Sequence, residues 1–476
     1  MYINFIYSFI NIDLNCFEIL TKFDLNFWEY KNISDLIRFD NYRYIFYLDF
    51  VFFGAQIAID GYSFVFLFLT ALLVPILVIV GWDSIKKDYF MYNSLIFFSI
   101  YLINMLFVVS DILNFYIFFE LLMIPLFFLI GRWGSRQESI VASFYFWFYT
   151  MVGSFLLLFA LILIYLYSGG FQLYNLYYIV MNGDYISKII CVLLFVGFMI
   201  KIPVGPFFHL WLPQAHVEAP TAGSLLLAGI ILKIGGYGIL RFVLPVFGYY
   251  LVEYSIYFSF FSLLSIITVL WNIEACTDLK KMVAYMSISH MNLGLLALFC
   301  NVDNLLGIQS FIYFMFSHGI VSVALFSSIG FAYERLASRD LTKIFSLKGQ
   351  PIFSGFFLFF FLANMAFPPL SSFVCEMIVY ISIGMGSMFL LFLSMIGFFL
   401  NGYLSILIYC KLFLGEGHFI YVPIFDLTRR EFLVATYLSI IIILLGLFPN
   451  VIFDIVELDT QTMLNELKYF FIISRI

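Results

Sequence analysis

Charge is what this sequence lacks. Only 11% of its 476 residues are Asp, Glu, Lys or Arg, against about 25% in an ordinary soluble domain. That scarcity excludes a chain of two to four water-soluble domains, the usual expectation at this length. There is no basic block and the net charge is −6, so a nucleic-acid partner has no electrostatic footprint. The six cysteines are scattered with no CxxC pair, which argues against an iron–sulfur or zinc centre and against a disulfide framework. GxGxxG at a strand–helix junction and the P-loop are missing too. The first twelve residues lack the basic start and small-residue cleavage site of a targeting segment.

What is abundant is apolar surface. Hydrophobic types make up 64% of the chain and the mean hydropathy is +1.05. Phe (64) and Tyr (33) lead the aromatics. Both, with Ile and Asn, use AT-rich codons, which suggests an organellar gene.

A spanning helix needs about 20 apolar residues. Twelve runs qualify: about 62–81, 91–110, 112–131, 140–167, 188–211, 220–245, 254–273, 282–302, 305–333, 352–382, 385–411 and 432–453. They are continuous rather than alternating, so the expected fold is an all-α polytopic membrane protein, not a barrel. Residues 1–60 are crowded with charge and read as an extramembrane or interfacial segment. Residues 61–453 read as the membrane domain and 454–476 as a C-terminal tail. Loops after odd-numbered spans hold thirteen Lys and Arg; the opposite side holds only Lys188 and Arg241. The rich side is therefore expected to face the matrix or cytoplasm.

Two spans are interrupted. The fifth carries Lys201, Pro203, Gly205 and Pro206; the tenth carries Pro368 and Pro369 ahead of Glu376. Each is the fourth member of a five-helix block, about 91–245 and 254–411. Five is odd, so the two blocks should be inverted repeats, and broken helices at matching positions point to ion sites at the breaks. Kinks that serve packing alone are the plainer reading of either break.

Ionisable groups inside spans cost at least about 2.5–3.5 kcal/mol each on insertion scales and need a reason. They are Glu120, Lys201, Lys233, His290, His318 and Glu376. A buried carboxylate next to a lysine can load or release a proton when its partner moves. A row of Lys and His at mid-membrane depth would make a proton relay. For each histidine, a hydrogen-bonded packing role stays open. His209 and His216, with Glu218, flank a further break and could form a gate. Glu274, Asp278, Lys280 and Lys281 read as a solvated loop.

The stretch KIPVGPFFHLWLPQAHVEAPTAGSLLLAGIILKIGGYGILRF (201–242) resembles the signature of the antiporter-like subunits of respiratory complex I. IDGYSF (59–64), FYIFFELLMIPLFFLIGRWG (115–134), DLKKMVAYMSISHMNLGL (278–295), FSHGIVSVALF (316–326) and YERLASRDL (333–341) extend it. The likeness covers roughly 57–453 and is greatest to the subunit 4 branch, where Glu376 and a short C-terminus fit. It implies a proton relay of Glu120 and Lys201 as an interacting pair, Lys233 as the central lysine, His318 as a relay element and Glu376 as the exit carboxylate. It also implies that NADH, FMN, iron–sulfur clusters and ubiquinone are bound by other subunits. The implied partners are lipids and antiporter-like subunits 2 and 5, in the mitochondrial inner membrane. The sequence departs from the branch in two places. Fourteen spans are usual there, two of them before Asp60, where this chain offers none. The tenth-span break reads FPPLSSFVCE (367–376), without the usual glycines. A multi-subunit cation/proton antiporter, another antiporter-like complex I subunit (2 or 5), or a scaffold that has lost transport are the competing readings.

Overall fold

The computed structural model describes residues 46–473, apart from 53–54, 86, 182–184, 337, 342–349 and 415–425. Most of the N-terminal segment expected to stay off the two-span pattern lies outside these residues. Its last part, β1 (Phe46–Phe52) and β2 (Ala55–Ile59), is an antiparallel hairpin with Phe46 opposite Ile59.

Helices follow. They are α1 (Gly61–Ser84), α2 (Tyr89–Val108), α3 (Ile112–Leu121), α4 (Met123–Trp133), α5 (Ser139–Ser168), α6 (Leu173–Met181), α7 (Tyr185–Lys201) and α8 (Trp211–Glu218). Next come α9 (Thr221–Leu226), α10 (Leu232–Gly238) and α11 (Leu244–Glu274), joined by π-helical turns at Leu227–Ile231 and Ile239–Val243. The rest are α12 (Leu279–Cys300), α13 (Leu305–Leu336), α14 (Pro351–Asn364), α15 (Ser371–Gly386), α16 (Met388–Tyr409), α17 (Arg429–Leu447) and α18 (Asn450–Ile473).

Among the described residues, nine helical runs are long and apolar enough to cross a membrane. One of them, Thr221–Glu274, has 54 residues. At 1.5 Å per residue it is about 80 Å long, more than twice the roughly 30 Å hydrocarbon core, so it makes two crossings. It bends at Phe247 (φ −105°, ψ 16°). With the interrupted pairs α7/α8 and α14/α15 added, the helices among the described residues line up with the twelve apolar runs. The expected loop between the sixth and seventh spans is instead this bend, because no run of polar residues breaks the helix there.

Burial separates centre from periphery. The apolar windows of α12 and α13 are 94% and 100% buried, whereas those of α16 and α17 are 33% buried. Side chains such as Phe148, Phe389, Phe392 and Phe399 are exposed on α5 and α16, as expected of helices that face lipid. The α9–α10 run is buried throughout. Lys233, His290 and His318 therefore stand on the innermost helices.

The tail read at 454–476 is helical from Asn450 to Ile473. Ile452, Val456, Met463, Leu464 and Leu467 are buried, a one-face pattern at helical spacing that a search for unbroken apolar runs passes over. The approach to α1 is close. Gly61 N–H donates to Asp459 Oδ2 at 2.5 Å, and a Cβ on Gly61 would lie 2.4 Å from the Ile455 carbonyl oxygen. Only glycine permits that contact.

Candidate functional site

The first break is made by Ile202–Leu210, where Pro203 and Pro206 withhold backbone donors. The freed groups find side chains. The Ile200 carbonyl accepts Trp211 Nε1–H at 3.1 Å, and Gly205 N–H donates to Ser265 Oγ at 2.8 Å. A Cβ on Gly205 would sit 3.1 Å from that oxygen and 3.2 Å from Ser265 Cα, so the approach of α11 depends on the glycine.

Lys201 ends α7 and is buried. Its Nζ lies 4.1 Å from the centroid of Phe119 and 3.3 Å from Met123 Sδ. The expected pair with Glu120 is not closed: among the described residues no ion pair joins them, and Glu120 Oε1 has no hydrogen-bond partner. The reason is local. Phe119 and Met123, one turn apart on a helix that runs on through Leu122 in helical geometry, occupy the space around the ammonium. Glu120 is only half-buried.

Lys233 follows one π-turn. Such turns leave a carbonyl out of the regular ladder and recur at functional sites. Lys233 Nζ donates to the Ala228 carbonyl at 2.5 Å and lies 3.2 Å from His318 Nδ1. A Cβ on Gly235 would stand 3.2 Å from Lys201 Cβ, so a glycine lets the helix of Lys233 lie close against that of Lys201.

The His318 ring centroid lies 5.7 Å from that of His290. His290 Nδ1 is 3.4 Å from Glu376 Oε1, and His290 Nε2 is 2.7 Å from Asn401 Nδ2. Lys233, His318, His290 and Glu376 thus form one buried row across α10, α13, α12 and α15. From the sequence each looks isolated in apolar surroundings; tertiary packing joins them. A small cavity beside Glu376 is lined by His290, Ser289, Tyr380, Ser394 and Asn401.

The second break is unwound, as expected of Pro368–Pro369: α14 stops at Asn364 and α15 starts at Ser371. Ala366, at φ 54°, turns the chain. The Ala363 carbonyl accepts Ser372 Oγ–H, and Ser371 Oγ bonds Ser317 Oγ at 2.9 Å. Ser372 acts on the carbonyl one residue before those that the prolines leave without a donor, and Ser371 instead bonds a side chain of α13. No Lys or Arg among the described residues pairs with Glu376.

The gate candidates are deeply placed. His216 is fully buried and stacks on Phe326 at 4.6 Å, with neither ring nitrogen hydrogen-bonded. His209 is buried beside Gly205. The loop read as solvated is partly drawn inside. Arg339 Nη2 is 3.6 Å from Glu218 Oε1, Arg339 Nε is 3.7 Å from Asp278 Oδ2, and Lys280 Nζ donates to the Ala219 carbonyl at 3.0 Å. Arg339 closes the cluster from the YERLASRDL stretch and also bonds the Val217 carbonyl. On the lysine-poor side, buried Arg241 pairs with buried Asp60. Neither network emerges from the sequence as a site; buried arginines within the family-like stretches 201–242 and 333–341 were the available signal.

Among the described residues, nine apolar spans and two interrupted helices, each of the latter carrying an ionisable group, define an antiporter-like membrane fold. The pattern of the family described as "NADH:quinone oxidoreductase/Mrp antiporter, TM" matches residues 109–401, and the chain belongs to that family. "NADH-ubiquinone oxidoreductase chain 4" of Chondrus crispus is 40% identical over 87% of this chain and 84% of its own length. "NADH-quinone oxidoreductase subunit M" of Rickettsia prowazekii (strain Madrid E) is 35% identical, covering 86% and 83%. A chain of respiratory complex I from Thermus thermophilus shares the fold at TM-score 0.79, with 24% identity and 89% of both chains covered. A chain of the Mrp complex from Dietzia sp. DQ12-45-1b does so at 0.78, with 19% identity and 88% and 86% covered.

Proposed function

We propose that this chain is a proton-translocating membrane-arm subunit of a respiratory NADH:ubiquinone oxidoreductase. The observation that supports this reading is the buried row Lys233–His318–His290–Glu376, whose groups by their chemistry can donate when protonated and accept when not. Lys201 and Glu120 stand upstream of it. Protons reach the row from the lysine-rich side and leave past Glu376 on the other. Electron transfer takes place elsewhere: NADH, FMN, the iron–sulfur clusters and ubiquinone belong to other subunits. The chain works in a multi-subunit membrane complex, beside antiporter-like subunits 2 and 5 and lipid, in the mitochondrial inner membrane.

The test is NADH-driven acidification in proteoliposomes holding the intact complex. Glu376→Gln or Lys201→Met is expected to leave NADH-linked assembly in place and cut protons moved per NADH. Normal pumping in both variants overturns the reading. Sodium-linked transport without NADH oxidation would move the chain to the cation/proton antiporter class instead.

A further inference from the structure

Asn401, on α16, is not an ionisable group and drew no attention in the sequence. It is buried, and its amide meets His290 at Nε2, the ring nitrogen away from Glu376. His290 is therefore addressed at both nitrogens at once. A neutral imidazole has one N–H donor and one acceptor nitrogen. An amide nitrogen can only donate. With Asn401 Nδ2 as the donor, Nε2 accepts and the ring proton is on Nδ1, the nitrogen 3.4 Å from Glu376 Oε1.

The other end of the amide is free to serve the other charge state. Asn401 Oδ1 is buried and has no hydrogen-bond partner, so no second side-chain bond fixes the amide in one orientation. Turned over about its terminal torsion, which is a broad two-fold rotor, Asn401 presents Oδ1 to Nε2–H. The ring can then carry protons on both nitrogens without a buried unsatisfied donor, which would otherwise cost about 1–3 kcal/mol. The Asn401 backbone carbonyl accepts Ser405 Oγ–H at 2.8 Å, and Asn364 Nδ2 bonds that same hydroxyl at 3.2 Å. These contacts hold the Asn401 main chain while leaving its amide able to turn.

We infer that Asn401 is a positioning residue that sets which nitrogen of His290 carries the proton, and so points proton transfer from His290 to Glu376. This rests on the relay reading above. In the charged state Oδ1 accepts Nε2–H while Nδ1–H faces the carboxylate. On transfer, the Nδ1–H bond breaks and an O–H bond forms at Glu376 Oε1. Imidazolium and carboxylate become neutral imidazole, with its proton on Nε2, and carboxylic acid.

Several groups face His290. Glu376 and Tyr380 come from α15, the Asn364 side chain of α14 also hydrogen-bonds the ring, and α13 presents Phe314 and His318, the latter with Lys233 of α10 behind it. In the same cavity α11 presents Ile266, and α16 presents Ser394, Gly397 and Phe398 beside Asn401. None of these last is titratable, so a change at 401 acts on His290 without altering another charge.

The experiment measures NADH-driven proton pumping against pH, in the intact complex in proteoliposomes, for Asn401→Leu, Asn401→Asp, Asn401→Gln and Glu376→Gln. Leucine removes the acceptor that the charged ring needs. Pumping is expected to fall several-fold, with its optimum moved acid by about one pH unit. Aspartate holds the second proton, and the optimum moves alkaline by about one unit, the scale of a single neighbouring charge. Glutamine keeps the amide and keeps the wild-type optimum. If the leucine variant does not assemble, Asn401→Ser, which cannot reach Nε2 with an amide, carries the same expectation. An unshifted optimum in both the leucine and aspartate variants, or shifts of the same sign, overturns the proposal. If Glu376→Gln pumps normally, the relay reading fails. If Glu376→Gln is inactive while the Asn401 variants are unshifted, the positioning role alone falls.

Discussion

At the first break the ionisable group is a cation set against an aromatic ring and a thioether; at the second it is a carboxylate set between an imidazole and a cavity. Lys201 has Phe119 and Met123 as its nearest partners, whereas Glu376 has His290, with Tyr380 and Asn401 across the void. Neither group sits in a close pair with a residue of permanent opposite charge. The difference lies in what each surrounding can exchange. A ring face and a sulfur stabilise a cation but cannot take its proton. Surroundings of imidazole, hydroxyl and amide can donate and accept in turn.

The sharpest way to break this comparison is to remove each charge. Lys201→Met is expected to cut pumping per NADH by about tenfold or more, the scale on which a positioned proton-transfer group acts. Glu120→Gln, whose carboxylate makes no closed pair with Lys201, should cost only about two- to threefold. Proteoliposome acidification separates the two, and equal losses would mean that the pair closes during turnover. A second test acts on the ring. Phe119→Leu removes a buried cation–π contact of about 2 kcal/mol, and the loss should appear as pumping that falls off at a lower pH than in the wild type, because the charged lysine is less favoured. An unchanged pH profile would show that the ring only fills space.

Smaller effects sharpen the contrast in how each break satisfies its backbone. Trp211→Phe removes the side-chain donor of the Ile200 carbonyl at the first break and should cost about 1–3 kcal/mol. Ser372→Ala leaves the Ala363 carbonyl with only the Ala366 N–H and should lower the stability of the assembled complex by about 1 kcal/mol, the net worth of one hydrogen bond, read as an earlier thermal transition. Of similar size is Gly205→Ala, whose Cβ would press on Ser265 at 3.1 Å. About 1 kcal/mol of overpacking is expected. Ser265→Ala should relieve only part of it, because Ser265 Cα, at 3.2 Å, remains.

Much of this was legible beforehand because a membrane makes exceptions conspicuous. An ionisable group in an apolar run is costly, so Glu120, Lys201, Lys233, His290, His318 and Glu376 stood out one by one. Prolines 203, 206, 368 and 369 marked both breaks for the same reason. Partnership was not legible. His290, His318, Glu376 and Asn401 come from four helices, and only their packing decides that Asn401 touches an imidazole while Glu120 acts on Lys201 without a close ion pair. Asp278 and Lys280 misled because a charged stretch between spans looks solvated, and Arg339, which draws Asp278 inward, lies some sixty residues away. α18 was missed because its apolar residues form a stripe rather than a run.

The bend at Phe247 also bears on how the chain enters the membrane. The rod from Thr221 to Glu274 offers the insertion machinery a stretch long enough for two passages and no polar loop to say where to turn back. Between Arg241 and Glu274 the only charged residue is Glu253, and acidic residues do little to hold a loop in the cytoplasm or matrix. The basic residues that can resist translocation come only later, at Lys280 and Lys281. The hairpin is therefore threaded out and anchored from its far end, and once across, Glu253 meets Lys188 at 3.1 Å. A lysine placed near Phe247 would compete with that anchor and send the second half of the chain in upside down.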